Sequence, residues 1–227
     1  MGTPFDNAAE KYDRWYDAPE GASVLRAELS CLRLACPKLI GAWIEVGVGT
    51  GRFAVGLGIT EGVDPSPAMR EIAASRGIRT RAGVAENLPY PAGVLDGVLL
   101  VATLCFVADP LAALRECARV LRQGGSLLMG HIPSDGPWGQ CYIKKAEAGH
   151  PVYSHARFST VTKVLELSQS AGFSLKSGAS TLFPSPGNLT EDPPRVEPGI
   201  VPGAGFVALH LEKGDTPPRA CTRTPLE

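Results

Sequence analysis

The sequence lacks a long apolar run and a surplus of basic charge. Its longest apolar stretch, Val98–Ala108, is about half the length that a membrane-spanning helix needs. Its 22 lysines and arginines are matched by 23 aspartates and glutamates, which leaves a net charge of -1. Proteins that bind nucleic acid usually present a basic patch to the phosphates. We therefore expect no membrane span and no nucleic-acid partner.

Paired cysteine motifs are also missing. None of the six cysteines stands in a C-x-x-C arrangement, so we expect neither a zinc site nor a redox site, and no metal. The first residues, Met1–Asp6, show neither the basic region nor the apolar region of a secretion signal. These features favour the reducing cytoplasm, in which cysteines remain thiols. The six are Cys31, Cys36, Cys105, Cys117, Cys141 and Cys221.

The sequence does contain an alternation of apolar strands and amphipathic helices. With 44% hydrophobic and 20% charged residues, the chain can bury the core of a single domain over residues 1–227. Such alternation is typical of a parallel sheet covered by helices on both faces. We predict an α/β fold with a Rossmann-like, doubly wound sheet of about seven strands. The late strands Phe173–Phe183 and Gly205–Lys213 are expected to form an antiparallel pair across the proline-rich loop Pro184–Pro202.

Two segments lie outside this alternation. Helices predicted at Asn7–Asp17 and Ser23–Cys36 form an N-terminal helical cap over about residues 5–37. The stretch Ile132–Phe158 shows no regular period, and we interpret it as an inserted lid segment. We expect both segments to cover a ligand site.

A glycine-rich turn follows the first predicted strand, Trp43–Val48, and leads directly into a helix. Gly47, Gly49 and Gly51 allow the backbone to approach a ligand closely, and the start of the helix offers unpaired N–H groups. Turns that bind dinucleotides also combine glycines with a helix start, but they favour glycine or alanine where this chain has Arg52. The turn alone is weak evidence for one particular ligand.

An acidic residue ends the next predicted strand. Asp64 stands seventeen residues after Gly47. A carboxylate at this place can accept hydrogen bonds from both ribose hydroxyls of a bound nucleotide. The alternative is that Asp64 caps the helix that follows.

At this point the chain resembles a known family, the class I S-adenosylmethionine-dependent methyltransferases of the ubiquinone-biosynthesis type (methyltransferase type 11). The resemblance covers about residues 43–130 and rests on four blocks in the family's order and spacing. It implies a Rossmann-like fold that binds S-adenosylmethionine, transfers its methyl group and leaves S-adenosylhomocysteine. The blocks are Glu45–Gly51, Gly62–Ser66, Ala85–Tyr90 and Leu114–Gly125.

The resemblance also implies a set of cofactor-binding residues. The family often has an aspartate where this chain has Val84, so recognition of the adenine amine is expected to shift to Glu86 or to the backbone. For Glu86, a solvated loop acid is the alternative. The residues implied are Glu45, Gly47, Gly49, Gly51, Val101 and Thr103 around the methionine group, Asp64 at the ribose, and Pro65, Ser66, Ala85 and Glu86 at the adenine.

The methyl acceptor is not revealed by any motif. Balanced charge and aromatic residues in both candidate lid segments favour a small, neutral or weakly polar molecule. His131, at the carboxyl end of the fifth predicted strand, is a candidate general base or a structural histidine. The aromatic candidates could equally pack the core, and Arg157 could pair with a surface acid. The candidate substrate residues are Tyr12, Tyr16, Phe106, Tyr142, Arg157 and Phe158.

Two other functions remain open from the sequence. An NAD(P)-dependent oxidoreductase would share the fold and the acid Asp64, although Arg52 and the lack of a Tyr-x-x-x-Lys pair weigh against it. A non-catalytic scaffold could keep the fold and the cofactor site without turnover. The intact glycine turn weighs against this scaffold.

Overall fold

The computed structural model describes residues 3–214, which contain eight strands and seven α-helices. The helices are α1 (Ala9–Trp15), α2 (Pro19–Ala35), α3 (Arg52–Leu57), α4 (Pro67–Ser75), α5 (Pro110–Val120), α6 (Pro137–Glu147) and α7 (Val161–Ser170). The strands are β1 (Trp43–Val46), β2 (Glu61–Asp64), β3 (Arg79–Ala82), β4 (Leu95–Val101), β5 (Leu121–His131), β6 (Phe173–Thr181), β7 (Val196–Pro198) and β8 (Phe206–Lys213).

All eight strands form one sheet, in the order β3-β2-β1-β4-β5-β8-β6-β7. The first five of these are parallel to one another. β8 runs antiparallel to both β5 and β6, which gives the predicted antiparallel end of the sheet. The order reverses between β1 and β4, so the chain leaves a crevice at the carboxyl ends of these two strands. The α/β prediction is therefore confirmed.

Side chains of the central strands alternate between two apolar layers. In β4, Leu99 and Val101 pack on the side of α2, whereas Val98 and Leu100 pack on the side of α5. Both sets are buried, which explains why this strand appears in the sequence as a continuous apolar run. The sheet is thereby fixed between two helical layers, and its carboxyl edge is held rigidly.

Two elements differ from the prediction. The segment Ile132–Phe158 is not irregular, because it contains α6 and a 3₁₀ helix at Tyr153–His155. Pro137 occupies the first turn of α6, and Trp138 and Tyr142 lie one turn apart on its buried face. An eighth strand, β7, lies within the loop that was expected to be structureless.

The two elements were missed for physical reasons. The apolar face of α6 is built from aromatic residues and is short, so its period is weak in sequence. β7 has three residues at the edge of the sheet and ends in Pro198, a residue that edge strands tolerate and central strands do not. Its existence depends on pairing with β6 and not on its own sequence pattern.

Some sequence predictions concern membrane helices, metals and cysteines. Within residues 3–214, no helix is long and apolar enough to cross a membrane, and no group of three or more His, Cys, Asp or Glu side chains could hold a metal ion. Five cysteines in this range are free thiols, and Cys221 lies outside the described residues.

Candidate functional site

A cavity of about 620 Å³ opens at the carboxyl ends of β1, β2 and β4. This volume falls within the range of small-molecule sites. Backbone and polar groups of the sheet edge line one part of it, and aromatic side chains line the other. From the sheet edge come Gly47, Gly49, Asp64, Pro65, Ala85, Glu86, Val101 and Thr103. From the helices and loops above come Phe5, Tyr12, Tyr16, Glu28, Phe106, Trp138, Tyr142, Tyr153 and Phe158, among others.

The glycine turn places three glycines in three different surroundings. A side chain on Gly47 would collide with Thr103, because a Cβ there would lie 2.3 Å from the threonine Oγ1. A Cβ on Gly49 would come within 4.0 Å of the Gly47 carbonyl and otherwise enter open space. Gly51 packs away from the cavity against Ala73 and Ile78. Gly49 is therefore the position at which the bare backbone faces a ligand.

Asp64 is held in a fixed orientation by the backbone around it. Its Oδ2 accepts a hydrogen bond from the Gly49 amide at 2.9 Å, and its Oδ1 accepts one from the Ser66 amide at 2.8 Å. Burial raises the pKa of Asp64, and these two hydrogen bonds oppose the rise. Each carboxylate oxygen keeps a second lone pair. Asp64 can thus accept two further hydrogen bonds from a ligand in the cavity.

Glu45 lies behind the glycine turn and does not line the cavity. It is 1% exposed, and its Oε2 has no hydrogen-bond partner among the described residues. Burial raises the pKa of this carboxyl well above its ordinary value. A buried acceptor without a partner is costly unless a ligand or a water molecule satisfies it.

The part of the cavity proposed for adenine is lined by both apolar and acidic residues. Ala85 and Glu86 line the cavity together with the exposed Val84. The Glu86 Oε1 accepts hydrogen bonds from the amides of Ala108 and Asp109, at 2.8 and 3.2 Å. One oxygen of Glu86 thus positions the loop before α5, which leaves the other oxygen for a ligand amine. Its proposed role in reading adenine stays a prediction.

Two of the candidate cofactor residues lie outside the cavity lining besides Glu45. Gly51 begins α3 with a positive φ of 82°, and its packing explains its small size. Ser66 is fully buried, caps α4 through the Met69 amide at 3.2 Å, and donates from its hydroxyl to Asp6 at 2.5 Å. Both support the shape of the site from behind.

The candidate substrate residues separate into two groups. Tyr12, Tyr16, Phe106, Tyr142 and Phe158 all line the cavity, whereas His131 and Arg157 do not. Burial lowers the pKa of His131 to about 4, and its Nε2 lies 2.9 Å from the Ser159 carbonyl. Arg157 is exposed, with the Ala108 carbonyl 3.4 Å from its guanidinium. This geometry favours the structural alternative for His131, and we propose no catalytic role for either residue.

Sequence reasoning missed several residues that line the cavity. Phe5 packs edge-on against Phe106, with ring centroids 4.9 Å apart, and brings the N-terminal segment over the site. Glu28 lies on the buried face of α2, where it is the one acid and the other residues are apolar apart from Ser23. A lone acid on an apolar helical face was a signal that could have identified it, since such acids are rarely buried without a reason.

An ionic cluster joins α1 to the start of α3. The Asp13 carboxylate accepts hydrogen bonds from Arg52 Nε at 2.8 Å and from Arg76 Nη2 at 2.7 Å. Burial opposes ionisation of Asp13, but the two guanidinium groups outweigh it and hold the pKa of the carboxyl well below its usual range. Arg52, which distinguishes this turn from a dinucleotide-binding turn, thus ties α1 to the glycine turn.

The Asp13 cluster leads to a prediction about stability. The substitution Asp13→Asn is expected to destabilise the protein by about 1–3 kcal/mol, because two guanidinium groups lose a charged partner. Since the native pKa of Asp13 is depressed, its contribution is complete above the unfolded pKa, near 3.9, and is lost as pH falls through the native pKa. The contribution should therefore be constant from pH 8 to pH 5. Denaturant unfolding at several pH values measures it.

A matched control lies on the same helix. Glu10 forms an exposed ion pair with Arg14, and Glu10→Gln should change the free energy of unfolding by less than about 0.5 kcal/mol. Equal effects of the two substitutions would show that the Asp13 cluster does not anchor α1.

Comparison with known proteins agrees with this geometry. The model of the methyltransferase domain family matches residues 44–129. An uncharacterized protein of Mycobacterium tuberculosis is 39% identical over 215 residues, covering 92% of this chain and 75% of that protein.

Two further relatives with described activities were found. A crystal structure from Thermotoga maritima, described as a SAM-dependent methyltransferase and possible histamine N-methyltransferase, is 37% identical with a TM-score of 0.85. The match covers 92% of this chain and 98% of that one. The chain belongs to the class I S-adenosylmethionine-dependent methyltransferases. A demethylmenaquinone methyltransferase of Roseiflexus castenholzii is 34% identical over 146 residues, which cover 55% of this chain and 61% of that protein. Because the chain belongs to this methyltransferase family, the alternative function of an NAD(P)-dependent oxidoreductase is rejected.

Proposed function

We propose that this methyltransferase binds S-adenosylmethionine at the sheet edge and transfers its methyl group to a small molecule held under α1 and α6. The observation that carries the proposal is that one cavity holds both the glycine turn with Asp64 and a set of aromatic side chains. The first part suits a nucleoside with an amino-acid tail. The second part suits a compact organic acceptor.

The residues present fit the cofactor. The free lone pairs of Asp64 suit the two ribose hydroxyls, and the space beside Gly49 admits a ligand against the backbone. The partnerless Oε2 of Glu45 suits the ammonium of the methionine group, reached through water or backbone. When bound, the cofactor supplies an electrophilic methyl group on sulfur.

The protein's own contribution is positioning and exclusion of water. Tyr12 and Tyr16 from the α1 region and Tyr142 from α6 enclose the cavity, and such enclosure aligns an acceptor with the methyl group. Positioning of two reactants alone supplies a large part of a rate enhancement. These aromatic side chains also limit the access of water to the cavity, where water would compete with the acceptor for the methyl group.

The proposal favours a small acceptor and no nucleic acid. The described relatives differ in acceptor, since one is named for a quinone precursor and another for an amine. Neither identifies the acceptor of this chain. The balance of charges in the sequence supports a small molecule over a polyanion. Free thiols such as Cys31 and Cys117 support a reducing cytoplasm as the site of the reaction.

Binding and turnover test the proposal separately. In calorimetry, we expect S-adenosylmethionine and S-adenosylhomocysteine to bind and NAD⁺ not to bind. A screen of small-molecule extracts with methyl-labelled cofactor should then yield a labelled small product. Hydrogen exchange should show protection of residues 7–17 and 132–158 when cofactor and an acceptor mimic are bound.

The contrary results are distinct. Binding of S-adenosylmethionine without transfer to any acceptor would favour the scaffold alternative. Labelled RNA or labelled large protein would refute the small-molecule acceptor, and unchanged exchange in both segments would refute the lid.

A further inference from the structure

The cavity contains a carboxyl group that the cofactor site does not use. Glu28 is 7% exposed and lines the cavity from α2, on the same helical face as Val24 and Glu20. Its carboxyl makes no hydrogen bond or ion pair with the residues that the structure describes. Burial raises the pKa of Glu28 to about 8. Its carboxyl oxygens are not among the atoms closed off from solvent, so this unpaired acid is open to a ligand in the cavity.

Four tyrosines lie near Glu28 in the cavity. Burial raises the pKa of Tyr12, Tyr16, Tyr142 and Tyr153, and the charge of Glu28 adds to the rise in each case. The four rings therefore lie within electrostatic reach of this carboxyl. All four line the same cavity. We call these five residues the Glu28 cage.

Ring faces of the cage already attract a cation. The ammonium of the exposed Lys145 lies 5.4 Å from the ring centroid of Tyr142 and 5.9 Å from that of Tyr153. Tyr142 and Tyr153 are stacked with centroids 4.4 Å apart, so they act as one electron-rich surface. Among the described residues, Lys145 forms no ion pair with Glu28, and burial is the cause of the raised pKa of Glu28.

A carboxyl group that lines a cavity together with tyrosine rings suits a protonated amine, because a carboxylate pairs with an ammonium and ring faces attract cations. A neutral acceptor would gain no such charge pair. We infer that the Glu28 cage binds the ammonium group of a small amine, and that this amine is the methyl acceptor. The inference rests on the proposed function and narrows the neutral acceptor expected from composition to an amine.

The amine must lose a proton before it can react, because an ammonium nitrogen has no lone pair. Free Glu28 is mostly protonated at pH 7 and the free amine is an ammonium, so the two groups carry two protons before they meet. On binding, one proton leaves to solvent and the pair shares the other. When the shared proton lies on Glu28, the amine is neutral and has its lone pair.

The transfer then balances without a further reactant. The nitrogen lone pair forms the new N–CH₃ bond while the S–CH₃ bond breaks, and the electrons of that bond stay on sulfur. The positive charge moves from sulfur to nitrogen. The methylated ammonium that results leaves the cavity, and Glu28 keeps its proton and is again in its free, protonated form. The proton released on binding is therefore the one proton that each turnover gives to solvent.

Several other titratable groups lie near the Glu28 cage and bear on the proton balance of amine binding. The tyrosines stay neutral because their pKa values are raised. Burial raises the pKa of Cys31, the neighbour of Glu28 on α2, to about 12, so it stays a thiol. Glu45 lies beneath the cavity. The other titratable residues that line it are Lys11, Glu20, Asp64, Glu86, Cys105, Lys145 and His150.

The test uses amines and alcohols of matched shape. The probes are 2-phenylethylamine, tyramine and tryptamine, with 2-phenylethanol, tyrosol and tryptophol as their neutral counterparts. Calorimetry is done on protein loaded with S-adenosylhomocysteine. We expect at least one amine to bind at least about tenfold more tightly than its alcohol. Glu28→Gln should lower the affinity for this amine by about ten- to hundredfold and leave the affinity for the alcohol unchanged.

A second measurement does not depend on a variant. Titration of the wild-type protein with the amine in buffers of different ionisation enthalpy should show release of close to one proton at pH 7. The affinity of Glu28→Gln for S-adenosylhomocysteine should equal that of wild type, which shows that the variant is folded. Glu71→Gln, at an exposed residue of α4 outside the cavity lining, makes the same chemical change and should keep the amine affinity.

The opposing results are equally clear. The amine proposal is overturned if none of the amines binds to the loaded protein, if alcohols bind as tightly as amines, or if Glu28→Gln keeps full amine affinity. Absence of proton release would also overturn it. Failure of S-adenosylhomocysteine itself to bind would instead refute the proposed function.

Discussion

Replacement of Asp64 by alanine is expected to weaken the binding of S-adenosylmethionine by roughly 1.5–3 kcal/mol, or about ten- to hundredfold. The physical reason is that Asp64 enters the cavity as a carboxylate whose oxygens are already oriented by the amides of Gly49 and Ser66. A ligand then gains two charge-assisted hydrogen bonds without paying for the ordering of the side chain. Isothermal calorimetry measures the change directly.

The control for this substitution is Glu71→Ala. Glu71 is an exposed residue of α4 that lies outside the cavity lining, so its removal changes the net charge by the same amount. The affinity of the Glu71→Ala variant for the cofactor should equal that of wild type. Unchanged affinity in folded Asp64→Ala protein would show that Asp64 serves the backbone turn alone and does not bind ribose.

The substitution Gly49→Ala is expected to reduce cofactor affinity by about a hundredfold or more. Gly49 has a φ of 52°, and a Cβ there enters the open space of the cavity and not a neighbouring side chain. The chain can therefore fold with alanine at this place, at a cost of about 1–2 kcal/mol for the left-handed backbone. The added methyl group then occupies space that the ligand needs against the backbone.

Gly58 provides a matched control for Gly49. It ends α3 with a φ of 75°, a Cβ there meets nothing within 4 Å, and it lies outside the cavity lining. Gly58→Ala should therefore cost similar stability and leave cofactor affinity unchanged. Equal cofactor affinities for the two alanine variants, measured at a temperature where both are folded, would refute the placement of the cofactor against Gly49.

These substitutions also separate binding from turnover. Asp64→Ala and Gly49→Ala act on the sheet edge, whereas Glu28→Gln acts on the part of the same cavity that α2 lines. If cofactor and acceptor occupy separate parts of the cavity, the first two variants should lose cofactor affinity and the third should keep it. The pattern across the three is more informative than any one of them.

Much of the fold could be predicted from local features of the sequence. The apolar run of β4, the proline and aspartate at the start of α5, and the glycines after β1 each reflect local physical rules that hold wherever the segment is placed. The acid at the end of β2 was identified for the same reason. Because parallel strands bring their carboxyl ends to one edge, local order along the chain already fixed the meeting of Gly49 and Asp64.

The remaining features depend on contacts between segments that lie far apart in sequence. The strand β7 exists because β6 offers it a partner, and α6 is stabilised by the contact of its aromatic face with the cavity wall. Neither contact leaves a strong periodic signal in a segment of a few residues. Residues 132–158 therefore showed no regular period in sequence although they contain a helix.

What the sequence by itself determined is the α/β sheet, its glycine turn and the acid of the cofactor site, because these follow from hydrophobic period and turn chemistry. The aromatic residues of the acceptor side were also identified from the sequence, but only the tertiary structure placed Glu28 among them. The role that we infer for Glu28 depends on Tyr12, Tyr142 and Tyr153, which come from three other elements of the chain. Burial of a charge is a property of the surroundings that the fold assembles, and a helix pattern alone does not carry it.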